Sequence, residues 1–90
     1  MEIIWSSQSI KDIEEIGDFI AADNPTRAIS FVDEFISSVE RLSHYPESGP
    51  IVEENPVFRH IVHHGYRIIY QLRSEKILIV TVLGPRRLLK

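Results

Sequence analysis

Apolar residues in the first half of the chain recur at the spacing of amphipathic helices. Isoleucines three or four residues apart define the apolar face of a first helix, with Asp12 on its polar face. These isoleucines are Ile10, Ile13, Ile16 and Ile20. A second stripe ends at Leu42, and Asn24-Pro25 supplies its N-cap and first helical residue. The pattern predicts a helical hairpin over residues 8–42.

Strand patterns flank this hairpin on both sides. Residues 2–5 form a short apolar strand, and residues 58–83 contain three further apolar segments separated by turns at His64-Gly65 and at residues 74–76. The last segment is apolar on both faces, which indicates a central or covered strand. The order β-α-α-β-β-β predicts an α+β fold, in which the helical hairpin packs on an antiparallel β-sheet.

The composition is typical of a single folded domain, here residues 1–90, with 43% hydrophobic and 26% charged residues. The absence of cysteine excludes disulfides, thiol nucleophiles and cysteine-based metal sites. No segment reaches the roughly 20 apolar residues of a membrane span, and the N-terminus lacks the positive region of an export signal. We therefore expect a cytoplasmic protein with no membrane contact.

Charge is distributed unevenly along the chain, although the net charge is only −3. Residues 1–57 contain three basic and twelve acidic side chains, whereas residues 58–90 contain seven basic and one acidic. This asymmetry predicts a basic β-meander built onto an acidic helical hairpin. Such a chain can offer a local anion-binding face without a general affinity for nucleic acid.

Arginines on the meander are the first candidates for a binding site. Alternation along the strand that begins at Tyr66 places Arg67 and Arg73 on the face opposite the helices, which we expect to be open. If the strands pair as a simple meander, Arg59 and the Arg86-Arg87 pair converge with Arg67 into a cluster that binds phosphates or carboxylates. A solvated basic face explains the same pattern equally well.

Three histidines lie close together in the sequence, at His60, His63 and His64. His63 and His64 are consecutive, so in a strand they point to opposite faces, and a zinc site needs about three convergent ligands. We therefore expect no metal site. His60 is the best candidate for an acid or base near neutral pH. The chain has no GxGxxG, P-loop, nucleophile elbow or HExxH motif, and we expect no cofactor.

An ordered set of short motifs resembles the RelE/ParE superfamily of bacterial type II toxins. The resemblance covers nearly the whole chain, and its fold is also β-α-α-β-β-β. The matching residues are Trp5-Ser6, Asp12-Ile13-Glu14-Glu15-Ile16, Asn24-Pro25 with Ala28, Leu42 with Pro46 and Gly49, Arg59, Tyr66-Arg67-Ile68-Ile69-Tyr70, and the last strand before Arg86-Arg87-Leu88.

The resemblance implies a toxin neutralised by direct binding of a cognate antitoxin, in a hetero-oligomer, and associated with plasmid stabilisation. RelE-like members cleave mRNA in the ribosomal A site, whereas ParE-like members poison DNA gyrase and are not known as nucleases. The chain ends at Lys90, before any C-terminal catalytic tyrosine of the RelE type. A RelE-like activity would depend on Arg67, Arg86, Arg87 and His60. A ParE-like toxin would use Arg59, Arg67, Arg73, Arg86 and Arg87 to bind its target or antitoxin.

The charge of the whole chain favours the ParE-like alternative. Binding to RNA scales with the number of phosphate contacts made by Lys and Arg, and a pI near 5.7 is unusual for a protein that must enter a site lined with RNA. Gyrase is a protein target, for which an acidic body with a local basic patch is suitable. We therefore expect a ParE-like, non-enzymatic gyrase inhibitor. The alternative is a ribosome-dependent mRNA endoribonuclease.

Overall fold

The structure is a computed structural model, and it describes residues 1–85. Two helices lie between a first strand and three consecutive strands. The elements are β1 (Glu2–Trp5), α1 (Ser7–Ala21), α2 (Pro25–Glu40) with a 3-10 turn at Arg41–Ser43, β2 (Arg59–His63), β3 (Tyr66–Arg73) and β4 (Lys76–Leu83). None of the helices in this part of the chain is long and apolar enough to cross a membrane.

Side-chain caps define where both helices begin. The Ser6 hydroxyl accepts a hydrogen bond from the Ser9 amide at 3.0 Å and donates one to the Val80 carbonyl at 2.7 Å. The start of α1 is therefore tied to β4. In α2 the Asn24 side chain accepts from the Arg27 amide at 3.0 Å, and proline occupies the first turn. This N-cap confirms the prediction from sequence.

The four strands form one sheet in the order β1-β4-β3-β2. β2, β3 and β4 pair antiparallel, whereas β1 pairs parallel with β4 and makes the sheet mixed. β1 departs in this from the predicted antiparallel sheet, because the long connection from β1 to β4, through both helices and through β2 and β3, allows parallel pairing. As its continuous apolar sequence predicted, β4 is a central strand, with one neighbour on each side.

The core lies between the helices and one face of this sheet, as the α+β prediction required. It consists of Phe31, Phe35, Val39, Leu42, Ile68, Tyr70, Ile77, Ile79 and Val82. On α1, Ile13, Ile16 and Ile20 pack against it, but Ile10 remains 48% exposed. The predicted apolar face of α1 is therefore only partly covered by the rest of the chain.

An irregularity in β4 brings an acidic residue of α1 into the sheet. Ile69 pairs with Thr81 but Tyr70 pairs with Ile79, so β4 has one extra residue at this point. The Asp12 carboxylate accepts a hydrogen bond from the Val82 amide at 2.9 Å and another from the Thr81 hydroxyl. The sequence placed Asp12 on the polar face of α1, and in the structure its carboxylate satisfies donors at the bulge.

The connection between α2 and β2 packs against the sheet. Ile51 forms an isolated antiparallel bridge with Arg59, and Val52 is buried. The buried Tyr70 hydroxyl donates to the Pro46 carbonyl at 2.8 Å and accepts from the Gly49 amide at 3.0 Å. Burial raises the pKa of Tyr70 above its ordinary value. The phenol therefore stays protonated and holds this connection in place.

Candidate functional site

Arg67 lies at the centre of a small charged cluster. Its guanidinium forms two hydrogen bonds with the Glu54 carboxylate, at 2.7 Å and 3.1 Å. Its Nε also donates to His60 Nδ1 at 3.1 Å. The Arg67 side chain is only 17% exposed and that of Glu54 25%. The expectation of an open face around Arg67 was wrong, because the connection before β2 brings a carboxylate over it.

His60 is electrostatically coupled to this ion pair. Partial burial lowers the pKa of His60, the positive charge of Arg67 lowers it further, and Glu54 opposes both effects. Because Nδ1 accepts a hydrogen bond from Arg67, the neutral ring is the form that fits this contact. His60 is therefore suited to accept a proton only at acidic pH.

We predict that His60 makes the folded state less stable in acid. A histidine whose pKa is lowered on folding takes up its proton more readily in the unfolded chain, so stability falls as pH drops below about 6.5. In His60→Gln the glutamine side chain can still accept a hydrogen bond from Arg67. Between about pH 7.5 and about pH 5, the urea midpoint of this variant should fall less than that of the parent chain. His44→Gln, at an exposed position, serves as the matched control. An unchanged pH dependence in His60→Gln would contradict the prediction.

Arg59 does not join Arg67. Arg59 pairs with Tyr70 across the ladder and shares its face, whereas Arg67 pairs with Val62 on the opposite face. The Arg59 guanidinium donates to the carbonyls of Glu47 at 3.3 Å and of Gly49 at 2.9 Å, so it holds the connection. The strands do form a simple meander, but the predicted convergence of Arg59 with Arg67 was wrong. The side chains of these two arginines lie on opposite faces of the sheet.

Arg73, the one remaining predicted arginine among residues 1–85, is not part of this cluster. Arg73 is exposed at the end of β3, where it pairs with Lys76 in the ladder. Arg73 and Lys76 together form a positively charged edge at this turn that is exposed to solvent. Arg86 and Arg87 lie outside the described residues. The structure therefore brings together Arg67, His60 and Glu54, of which the sequence singled out the first two.

A second polar cluster joins α2 to the turn between β2 and β3. Glu34 Oε1 lies 3.0 Å from His63 Nε2 and 3.4 Å from His64 Nε2. The expectation that the consecutive histidines point to opposite faces was wrong. His64 has φ of 49°, which takes it out of strand alternation and brings its ring 4.4 Å from that of His63, centroid to centroid.

Glu34 is the residue that sequence reasoning missed in this second cluster. Its carboxylate accepts from Arg27 Nη1 at 2.6 Å, and this bond, opposed by partial burial and assisted by His63, lowers the pKa of Glu34 to about 2. The carboxylate is therefore charged at neutral pH. No local pattern marks Glu34 among the acidic residues of the helices, because its partner His63 is 29 residues away in the sequence.

Comparison with known proteins identifies the family. The family model described as the ParE toxin of type II toxin-antitoxin system, parDE, matches residues 3–89. This chain belongs to the ParE toxin family. Its fold is similar to that of a chain from the "Chromosomal ParDE TA system from P. aeruginosa", with a TM-score of 0.85 and 17% identity over 96% of this chain and 97% of that chain. No curated protein sequence matches the chain significantly.

The ParE-family chain also has uncovered apolar surface on its helical hairpin. Ile10 and Ile36, 48% and 38% exposed, line a cavity of about 280 Å³ together with Trp5 and Ile13. Phe19 is 74% exposed further along α1. Exposed apolar patches often serve as protein-interaction sites.

Proposed function

We propose that this ParE-family toxin inhibits DNA gyrase in the cytoplasm and is neutralised by direct binding of a cognate antitoxin. The observation that carries the proposal is the match to the ParE toxin family over residues 3–89. The uncovered apolar surface around Ile10 and Ile36 gives the antitoxin an area to bury. An acidic antitoxin segment would in addition complement exposed basic side chains such as Arg73.

The charged cluster supports a protein target over RNA. A nuclease of this fold needs cationic groups free to bind the reacting phosphate, yet Arg67 already donates two hydrogen bonds to Glu54. Among the described residues, Arg59 lies on the other face of the sheet and binds carbonyls of its own chain. A net charge of −3 gives no general attraction to RNA.

We predict that the purified chain blocks supercoiling of relaxed plasmid by purified gyrase, or raises the amount of cleaved DNA in the reaction. The protein encoded beside the toxin, added at equimolar concentration, should restore supercoiling, because binding buries the toxin's contact surface. Topoisomerase I with the same plasmid is the matched control. Normal gyrase activity at micromolar toxin, together with growth arrest on expression in cells, would contradict the gyrase target. Antitoxin binding is tested separately, by co-purification of the two proteins.

The alternative, ribosome-dependent cleavage of mRNA, is favoured by one observation, which is the contact between Arg67 and His60. An arginine beside a neutral imidazole is a suitable pair for phosphate binding and proton transfer. A translation reaction run in parallel therefore distinguishes the two activities. Cleavage of mRNA in the A site that is lost in Arg67→Ala and His60→Ala would support the nuclease. Intact mRNA would exclude it.

A further inference from the structure

We infer that Glu34, His63 and His64 form a zinc-binding site between α2 and the turn that joins β2 to β3. One ligand atom from each residue lies within 4.8 Å of the other two. Two imidazole nitrogens and one carboxylate oxygen are a ligand set that Zn²⁺ accepts. This site is separate from the cluster of Arg67 and the proposed gyrase activity, and it revises the expectation from sequence that the chain has no metal site.

The distances suit tetrahedral coordination with little movement. At the usual bond length, two ligand atoms of a tetrahedral zinc ion are separated by about 3.3 Å. Glu34 Oε1 lies 3.0 Å from His63 Nε2 and 3.4 Å from His64 Nε2. Two of the three ligand–ligand distances are therefore already close to those of the occupied site. The fourth position is open to water.

The surroundings of the ligands orient them before any metal binds. Arg27 donates from Nη1 to Glu34 Oε2 at 2.6 Å and from Nη2 to Oε1 at 3.4 Å, and this pair of bonds holds the carboxylate with Oε1 toward both histidines. The Phe35 ring packs against the His63 ring at 5.1 Å between centroids, and Phe31 packs 5.4 Å from the His64 ring. Groups that fix ligand orientation strengthen metal binding. The charge of Arg27 opposes a dication, so the affinity should be lower than that of a closed structural zinc site.

The position of His64 explains why this site forms from consecutive residues. The backbone φ of 49° at His64 and of 83° at Gly65 makes a tight turn at the end of β2. Because the backbone of His64 has a left-handed conformation, the His64 ring lies on the side of the sheet that faces α2. The side chains of His63 and His64 are 19% and 55% exposed, so a solvated ion can reach both nitrogens.

Isothermal titration of metal-free protein with ZnCl₂ near neutral pH tests the site. We expect binding at one ion per chain and no comparable binding of MgCl₂, since Mg²⁺ prefers oxygen ligands. In His64→Asn the affinity should fall by at least about tenfold, because one nitrogen ligand is lost. Asparagine tolerates positive φ, so this variant keeps the turn. His44→Asn, at an exposed position far from the cluster in sequence, is the matched control and should bind as tightly as the parent chain.

Two further measurements separate this site from binding elsewhere on the chain. Zinc should raise the thermal midpoint of the parent chain and of His44→Asn, but not that of His64→Asn, since a ligand that binds only the folded state stabilises it. In NMR spectra the ring nitrogens of His63 and His64 should shift on addition of zinc while those of His44 do not. Equal affinity in His64→Asn and the parent chain, or no binding by either, would overturn the inference.

Discussion

Gly49→Ala is expected to lower the free energy of unfolding by about 3 kcal/mol, the upper part of the range for overpacked positions. An alanine Cβ at this position would lie 2.4 Å from the His60 carbonyl oxygen and 2.8 Å from the Tyr70 hydroxyl. The first of these atoms belongs to the backbone of β2, so it can move only if the strand moves. The Gly49 amide would also be displaced from its hydrogen bond with Tyr70. Urea denaturation followed by circular dichroism measures the change.

Gly84→Ala is the matched control for this substitution. Among residues 1–85, a Cβ at Gly84 would meet only the Tyr66 ring, at 3.8 Å, which is ordinary van der Waals contact. Its unfolding free energy should therefore change by less than about 1 kcal/mol, since the reduced freedom of the unfolded chain is the main remaining effect. Similar urea midpoints for Gly49→Ala and Gly84→Ala would show that the connection before β2 moves away from the sheet without cost.

Sequence periodicity predicted the elements that depend on local rules. Asn24-Pro25 marked the start of α2 because capping chemistry acts over three residues, and the structure has this cap. The continuous apolar character of β4 indicated a central strand, and β4 lies between β1 and β3. Both patterns depend only on residues that are close in the sequence, so they predict these elements without knowledge of the fold.

The candidate sites depend on contacts that local patterns do not encode. Glu54 reaches Arg67 across 13 residues, and Glu34 reaches His63 across 29. Strand alternation assigned Arg67 to the correct face, but no periodic signal shows that an irregular connection will cover that face. For His64 the alternation rule does not apply, because this residue lies in the turn at His64-Gly65 with positive φ and not in the strand.

Asp12→Ala is expected to destabilise the chain by about 3 kcal/mol, because one carboxylate satisfies two donors at the bulge of β4. The Val82 amide and the Thr81 hydroxyl would both lose a charged acceptor in a partly buried position. The Val82 amide is affected most directly, because the Asp12 carboxylate accepts its hydrogen bond at 2.9 Å. Urea denaturation gives the change in unfolding free energy. Hydrogen exchange should show faster exchange at Val82 than in the parent chain.

Two substitutions test whether the hydrogen bonds or the loss of an acidic residue cause this effect. Asp18→Ala removes an exposed carboxylate from the same helix and should change the unfolding free energy by less than about 0.5 kcal/mol. Asp12→Asn keeps one side-chain acceptor oxygen but removes the charge, so its stability should lie between those of Asp12→Ala and the parent chain. If Asp12→Ala were no less stable than Asp18→Ala, the bulge would not depend on this carboxylate. Its donors would then be satisfied equally well by water, and the tie between α1 and β4 would rest on Ser6 and on apolar packing alone.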